Sequence, residues 1–187
     1  MMDGPPVDMA PAGPCWPLDN RIERGSVVLG MGPGPFSSMP DEVPLVYGEQ
    51  GGFHFEVHSR MTGLRPGNPA DLLDPANPRT KFTTTFLDTG KPINAGVCAH
   101  RLAYIPSGAE TFDLGASTIS IFETCYRGPD VFGVKFRLIV EVIDSDGGYA
   151  KDERIVTALP PVGWVDPVPA SDAGTPDAGT CPPPAGT

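Results

Sequence analysis

An all-β sandwich is the fold class this sequence predicts, and three features predict it. Several runs alternate apolar and polar residues with a period of two, the mark of strands with one buried face. Clusters of Gly, Pro, Asp and Asn separate those runs, as tight connections between strands require. Between the flanks, Val, Ile, Phe and Thr recur without helical periodicity. Two packed β-layers of about seven to nine strands follow from this pattern.

The clearest run is Phe53 to Arg60. Phe53, Phe55 and Val57 fall on one face, while His54, Glu56, His58 and Arg60 fall on the other. The Gly51-Gly52 pair ahead of it suits a bulge or tight corner. In chain order, Ser26 to Met31 reads as a first strand. Glu42 to Tyr47 reads as a short strand at an edge, because Pro44 cannot donate to a ladder. The long strand over 52–62 comes next. Residues 63–78 hold Pro66, Pro69, Pro75 and Pro78 and read as a long connection, with one helical turn at Ala70 to Asp74.

Arg79 to Leu87 resumes alternation, with Phe82, Thr84 and Phe86 on one face, and Asp88 to Pro92 turns the chain. Val97 to Ile105 reads as a single strand carrying Cys98, His100, Leu102 and Tyr104 on one side. Residues 117–126 form another, with Ile119, Ile121, Glu123 and Cys125 opposed to Phe122 and Tyr126. The strongest strand is Val131 to Ile143, whose Val134, Phe136, Leu138, Val140 and Val142 face inward. Asp144 to Gly148 is a hairpin turn by its Asp-Gly step, and Lys151 to Leu159 returns as the last strand.

Composition sets the outer limits. With 24 Pro and 23 Gly, about a quarter of the chain is turn-forming or extended, and the prolines crowd both ends. The expected division is a Pro/Gly-rich linker over 1–22, a sandwich over 23–161 and a low-complexity tail over 162–187. The tail repeats Asp172-Ala173-Gly174-Thr175 as Asp177-Ala178-Gly179-Thr180. A formal net charge of -10 argues against nucleic acid or an anionic membrane surface as partner. No apolar run approaches the roughly 20 residues of a membrane-spanning helix.

The 4 cysteines, Cys15, Cys98, Cys125 and Cys181, include no C-x-x-C pair, so disulfides fit better than a zinc-thiolate cluster. Three pairings are open. Cys98 with Cys125 would close a loop of about 27 residues, worth roughly 3 kcal/mol on chain-entropy grounds. Cys15 with Cys181 would clip the two Pro-rich ends together. Met1 to Pro6 carries no signal segment, so either the export signal lies outside this chain and the protein is extracytoplasmic, which the disulfide reading favours, or the protein is cytosolic and its thiols are free.

Three residue sets invite a chemical reading. His54, Glu56 and His58 alternate on one strand face at steps of roughly 7 Å. With His100 from a neighbouring strand they could hold Zn²⁺ or Cu²⁺. The outer pair is then about 14 Å apart, which demands a bulge; the structural reading is a solvated face with one histidine against the glycine corner. Asp144 and Asp146 resemble the opening of a calcium loop, but Gly147 follows at once, and a hairpin whose Asp side chains bond turn amides explains them better. Cys98 and His100 share a face, though no basic neighbourhood activates the thiol. No nucleophile elbow, zinc-protease helix or phosphate loop is present in the sequence.

Taken in order, Val28-Leu29-Gly30, then Val46-Tyr47-Gly48-x-Gln50-Gly51-Gly52-x-His54, then Val140-x-Val142-x-Asp144-x-Asp146-Gly147 resembles an uncharacterised family of bacterial proteins. Its members are secreted, often lipid-anchored, and carry an immunoglobulin-like domain. The likeness covers roughly residues 26–160. It implies an immunoglobulin-like β-sandwich and an extracytoplasmic location, and no activity. The expectation is therefore a non-catalytic binding or structural module of the cell envelope, with a protein or envelope component as partner and no cofactor. Its contacts would lie on residues 63–78 or 106–116, or on the His54/His58 face. The alternative is a zinc- or copper-binding protein built on His54, His58 and His100.

Overall fold

Two twisted sheets, one against the other, hold the strands that the alternation marks out. The computed structural model describes residues 21–165 other than 33, 50, 51, 94–97, 117 and 124. In chain order the elements are β1 (Ile22–Glu23), β2 (Ser26–Met31), β3 (Ser37–Ser38), β4 (Glu42–Pro44), β5 (Val46–Tyr47), β6 (Phe53–Thr62) and β7 (Arg79–Phe86). They continue with β8 (His100–Arg101), β9 (Tyr104–Gly108), β10 (Thr111–Leu114), β11 (Thr118–Ile121), the short helix α1 (Gly128–Val131), β12 (Lys135–Ile143) and β13 (Gly148–Leu159).

The first sheet runs β1-β13-β12-β7-β8, with β4 also on β13; the second runs β3-β2-β6-β10-β9, with β5 and β11 also on β6. The β12–β13 hairpin pairs antiparallel from Lys135↔Thr157 to Ile143↔Tyr149. The arrangement is the β-sandwich expected from the period-two pattern.

The inner faces are the residues that alternation selects. Phe55, Val57, Met61, Phe136, Leu138, Val140 and Val142 are fully or almost fully buried. Phe55, Phe122 and Phe136 meet at ring separations of 5.2–5.7 Å. Each such ring contributes about 1.5–3 kcal/mol by leaving water.

Hydroxyls thread this dry layer. The Tyr104 hydroxyl lies 2.9 Å from Ser59 Oγ and 3.1 Å from Thr80 Oγ1, linking β9 and β6 to β7 in the opposite sheet. Thr84 Oγ1 and Ser120 Oγ, 2.8 Å apart, make a second bridge between the sheets. Burial pushes the Tyr104 phenol up to about 12, against the pull of its two hydroxyl partners. Along one side, Leu29 N–H of β2 donates to Asp152 of β13 at 2.8 Å.

Five expectations about single elements are corrected. The strand expected over 42–47 is two strands, because the chain crosses between sheets at Leu45: β4 pairs with β13, and β5 pairs with β6. The strand expected over 97–105 also divides, with β8 on β7 and β9 on β10. Residues 106–116 are not simply a loop but the β9–β10 hairpin. Val131, expected to begin the strongest strand, closes α1 instead. The residues 70–74 contain turns and no helix. Beyond the expected boundary at 161, Trp164 packs 5.4 Å from the Phe53 ring and 5.8 Å from the Phe132 ring.

Candidate functional site

The connection from β6 to β7 is long and rich in proline, yet its own side chains brace it throughout. Asn77, buried at 1% exposure, closes the neck: its Oδ1 accepts Asn68 N–H at 2.7 Å, and its Nδ2 donates to the Asp71 carbonyl at 2.8 Å. Gly67 makes the neck possible. Its φ is +81°, and a Cβ there would lie 2.7 Å from the Asn77 Cα.

Above the neck, three successive turns run Asn68 to Asp71, Asp71 to Asp74 and Asp74 to Asn77, each closed by a backbone bond of 3.0–3.2 Å. Asn and Asp side chains reinforce them, as these residues do wherever they can mimic a backbone turn. Asp71 accepts Leu73 N–H at 2.9 Å, Asp74 accepts Ala76 N–H at 2.8 Å, and Asn68 donates to Asp74 at 2.9 Å. The bonds from Ala76 and Asn68 hold the Asp74 carboxyl below the usual range. Behind the loop, Arg101 donates to the Pro75 carbonyl.

What this scaffold presents is Leu72, 73% exposed, and Leu73, 87% exposed. Among the described residues, no other adjacent pair of large apolar side chains is so open. Beside the neck, Arg65, Pro66, Gly67, Asn68, Ala76 and Ser145 line a shallow depression of about 220 Å³.

Ser145 belongs to the β12–β13 turn, which fixes the base of the loop through a buried carboxylate. Asp144, with its side chain at 0% exposure, accepts Gly148 N–H at 2.7 Å and Asp146 N–H at 2.9 Å on Oδ1. Its Oδ2 accepts Arg65 N–H at 3.0 Å and the Arg24 guanidinium at 2.8 Å. Burial pushes this carboxyl up, but the bonds from Arg65, Arg24, Gly148 and Asp146 together outweigh burial and leave it below the usual range. Asp146 pairs with Arg65 and, at 3.7 Å, with Arg24. The calcium reading of Asp144 and Asp146 is thereby replaced: both Asp144 oxygens are taken by backbone amides and Arg24, and Asp146 pairs with Arg65 and Arg24.

The histidines do not converge. His54, Glu56 and His58 lie on the outer row of β6 in one sheet, and His100 lies opposite Thr80 on β7 in the other. His58 is 3% exposed, with Phe36 packed edge-on at 5.8 Å and Nδ1 3.2 Å from the Ser59 carbonyl. Burial lowers its pKa. His54 stands beside Gly48, at the corner closed by Gly48 N–H to the Gly52 carbonyl at 2.9 Å. Among the described residues, no group of three His, Cys, Asp or Glu side chains is placed to hold a metal ion. The expected set of His54, Glu56, His58 and His100 is not assembled, because the chain changes sheets between His100 and Tyr104. The remaining outward group, Arg60, is bound to Asp113 at 2.6 and 2.8 Å and lies over the Phe36 ring at 4.3 Å.

Cys98 and Cys125 are both disulfide-bonded, and among the described residues no cysteine is a free thiol. Cys15 and Cys181 lie outside the described residues. Leu72 and Leu73 fall within the helical turn expected over Ala70 to Asp74, so the sequence pattern singles out neither as a contact residue. The available signal was two leucines inside a Pro/Asn/Asp-rich stretch with no periodicity to absorb them. No protein-family model, curated protein or solved structure matches this chain. Among the described residues, no helix is long and apolar enough to cross a membrane.

Proposed function

We propose that this chain is a non-catalytic, extracytoplasmic binding module of the cell envelope that makes its contacts at the end of the sandwich bearing residues 63–78. The observation that carries the reading is the pair Leu72 and Leu73, held in water at the tip of a loop whose every turn is tied by its own side chains. Exposed apolar groups on a rigid support bind at lower entropic cost than the same groups on a mobile chain. Loops on a stiff β-framework are where binding residues concentrate.

The oxidised state of Cys98 and Cys125 supports the location, because disulfides persist outside the reducing cytosol. We take the two to be paired with each other. Glu123 N–H donates to the Ile93 carbonyl at 3.0 Å, which sets the chain two residues before Cys125 against a residue five positions before Cys98. Peptide mapping without reductant should recover one cross-linked peptide containing both. Kinship with the secreted, lipoprotein-like family belongs to the same proposal and rests on the Gly48 to His54 element.

The test is site-specific photo-crosslinking of the full chain in the cells that make it. A photoreactive residue at Ser145, beside the loop, should give a discrete adduct, and one at Thr89, on the turn at the opposite end, should not. Equal labelling at both positions, or none at Ser145, overturns the reading.

A further inference from the structure

We infer that the loop tip recognises a protein that offers an apolar cleft edged by lysine or arginine side chains; this deepens the binding reading above and rests on it. The apolar half of the match comes from direction as well as exposure. Leu73 N–H is bound to Asp71 Oδ1, and Asp74 N–H to the Asp71 carbonyl, so the backbone carrying both leucines is fixed on either side. Two neighbouring leucines presented in this way enter a concave surface, as hot-spot residues do, and cannot lie flat on a polar one.

The charged half comes from what frames them. Asp71 and Asp74 flank the leucines, and Asp74 keeps its proton off well below neutral pH because Ala76 N–H and Asn68 hold its anion. Arg101, whose charge also helps to lower the Asp74 carboxyl, donates to the Pro75 carbonyl behind the loop and not to the collar. An apolar key with an anionic collar is complemented by a cationic rim, which also steers the approach.

The same charges separate the other occupants. A bilayer with anionic headgroups repels both the collar and a chain of net charge -10. A second copy of this chain brings 23 acidic against 13 basic residues, so the collar would meet predominantly like charge.

The experiment keeps the photoreactive residue at Ser145 and varies the tip. Leu72→Ser with Leu73→Ser should cut the adduct at least tenfold while the denaturation midpoint stays unchanged. Ala70→Lys places a cation in the collar and should lower the yield severalfold; Ala70→Glu, of similar length at an exposed position, should preserve it. The adduct should weaken as salt rises from about 0.05 to about 0.5 M, beyond the screening distance of surface charges. The cross-linked peptide of the partner must lie in an apolar cleft bordered by Lys or Arg; an adduct to some protein is not sufficient. An adduct that survives loss of both leucines, ignores the sign at position 70, or is a lipid or a second copy overturns the inference while leaving the binding reading in place. Absence of any Ser145 adduct removes both.

Discussion

Replacing Asp144 by alanine should be among the most damaging single changes in this protein, and the structure sets its size. Four donors lose their acceptor at once: the N–H groups of Arg65, Asp146 and Gly148, and the Arg24 guanidinium. A buried donor left unsatisfied costs about 1–3 kcal/mol. Only the Gly148 bond is fully buried, and water reaches the others in part, so the sum is about 3–5 kcal/mol. With an m-value of about 2 kcal/mol per molar urea, the midpoint should fall by about 2 M.

Asp144→Asn is more informative. Its amide oxygen can keep the two turn donors held by Oδ1, but its NH₂ then faces Arg65 N–H and Arg24, which are donors themselves. The cost should be about half that of alanine. The acid limb separates the variants again. The folded pKa of Asp144 is depressed, so its contribution is fully present above the unfolded value of about 3.9 and is lost as pH falls through the folded value. The wild-type decline below about pH 4 should therefore be steeper than that of Asp144→Asn. Urea titrations followed by tryptophan fluorescence would measure both effects. A loss below about 1 kcal/mol for alanine, or an asparagine variant as damaged as the alanine one, would refute the assignment of donors.

Other outcomes follow from the same contacts. Tyr104→Phe leaves Ser59 and Thr80 without their shared hydroxyl, and the denaturation midpoint should show a loss of about 1–2 kcal/mol. His58 is held neutral by burial, so its contribution is complete above the unfolded value of about 6.5 and is lost as pH falls through its lower folded value. His58→Phe should flatten stability between about pH 7 and pH 5, leaving only the smaller slope from His54, whose pKa burial also lowers. Dialysis against Zn²⁺ or Cu²⁺ should leave no stoichiometric metal that depends jointly on His54, His58 and His100. Metal lost on His100→Ala would contradict the placement of these residues in opposite sheets.

The parts of the fold legible in advance are those where alternation is long enough to fix a face. Residues 53–62, 79–86, 135–143 and the return strand to Leu159 are strands of this kind, with the inward sets that their pattern selects. What escaped was the path between sheets. A chain that changes layers at Leu45, or between Arg101 and Tyr104, keeps its extended backbone and its alternation, so nothing local marks the crossing. That one ambiguity misplaced His100 and produced a metal set that the structure does not assemble. The loop failed for the opposite reason: Ala70 to Asp74 reads as one helical turn, whereas the turns seen depend on bonds among Asn68, Asp71, Asp74 and Asn77 and on a neck closed between residues nine apart.

Stability and recognition meet at Arg65. Its N–H is held by Asp144, its guanidinium by Asp146, and the next residues form the neck that Asn77 closes. The turn of one hairpin therefore sets the exit direction of a loop from the other sheet. Asp144→Asn should then reduce the Ser145 adduct more than its effect on global stability explains, because it frees Arg65 while the turn itself keeps Gly148. Gly148→Ala disturbs the same place from the other side, since its new Cβ would collide with Arg24 and lie 2.8 Å from Asp144 Oδ2. If both variants lose adduct while Tyr104→Phe, at comparable stability, retains it, the loop is oriented by this charge cluster. Equal adduct in all three would mean that the sequence of residues 63–78 alone determines its shape, with the hairpin a bystander.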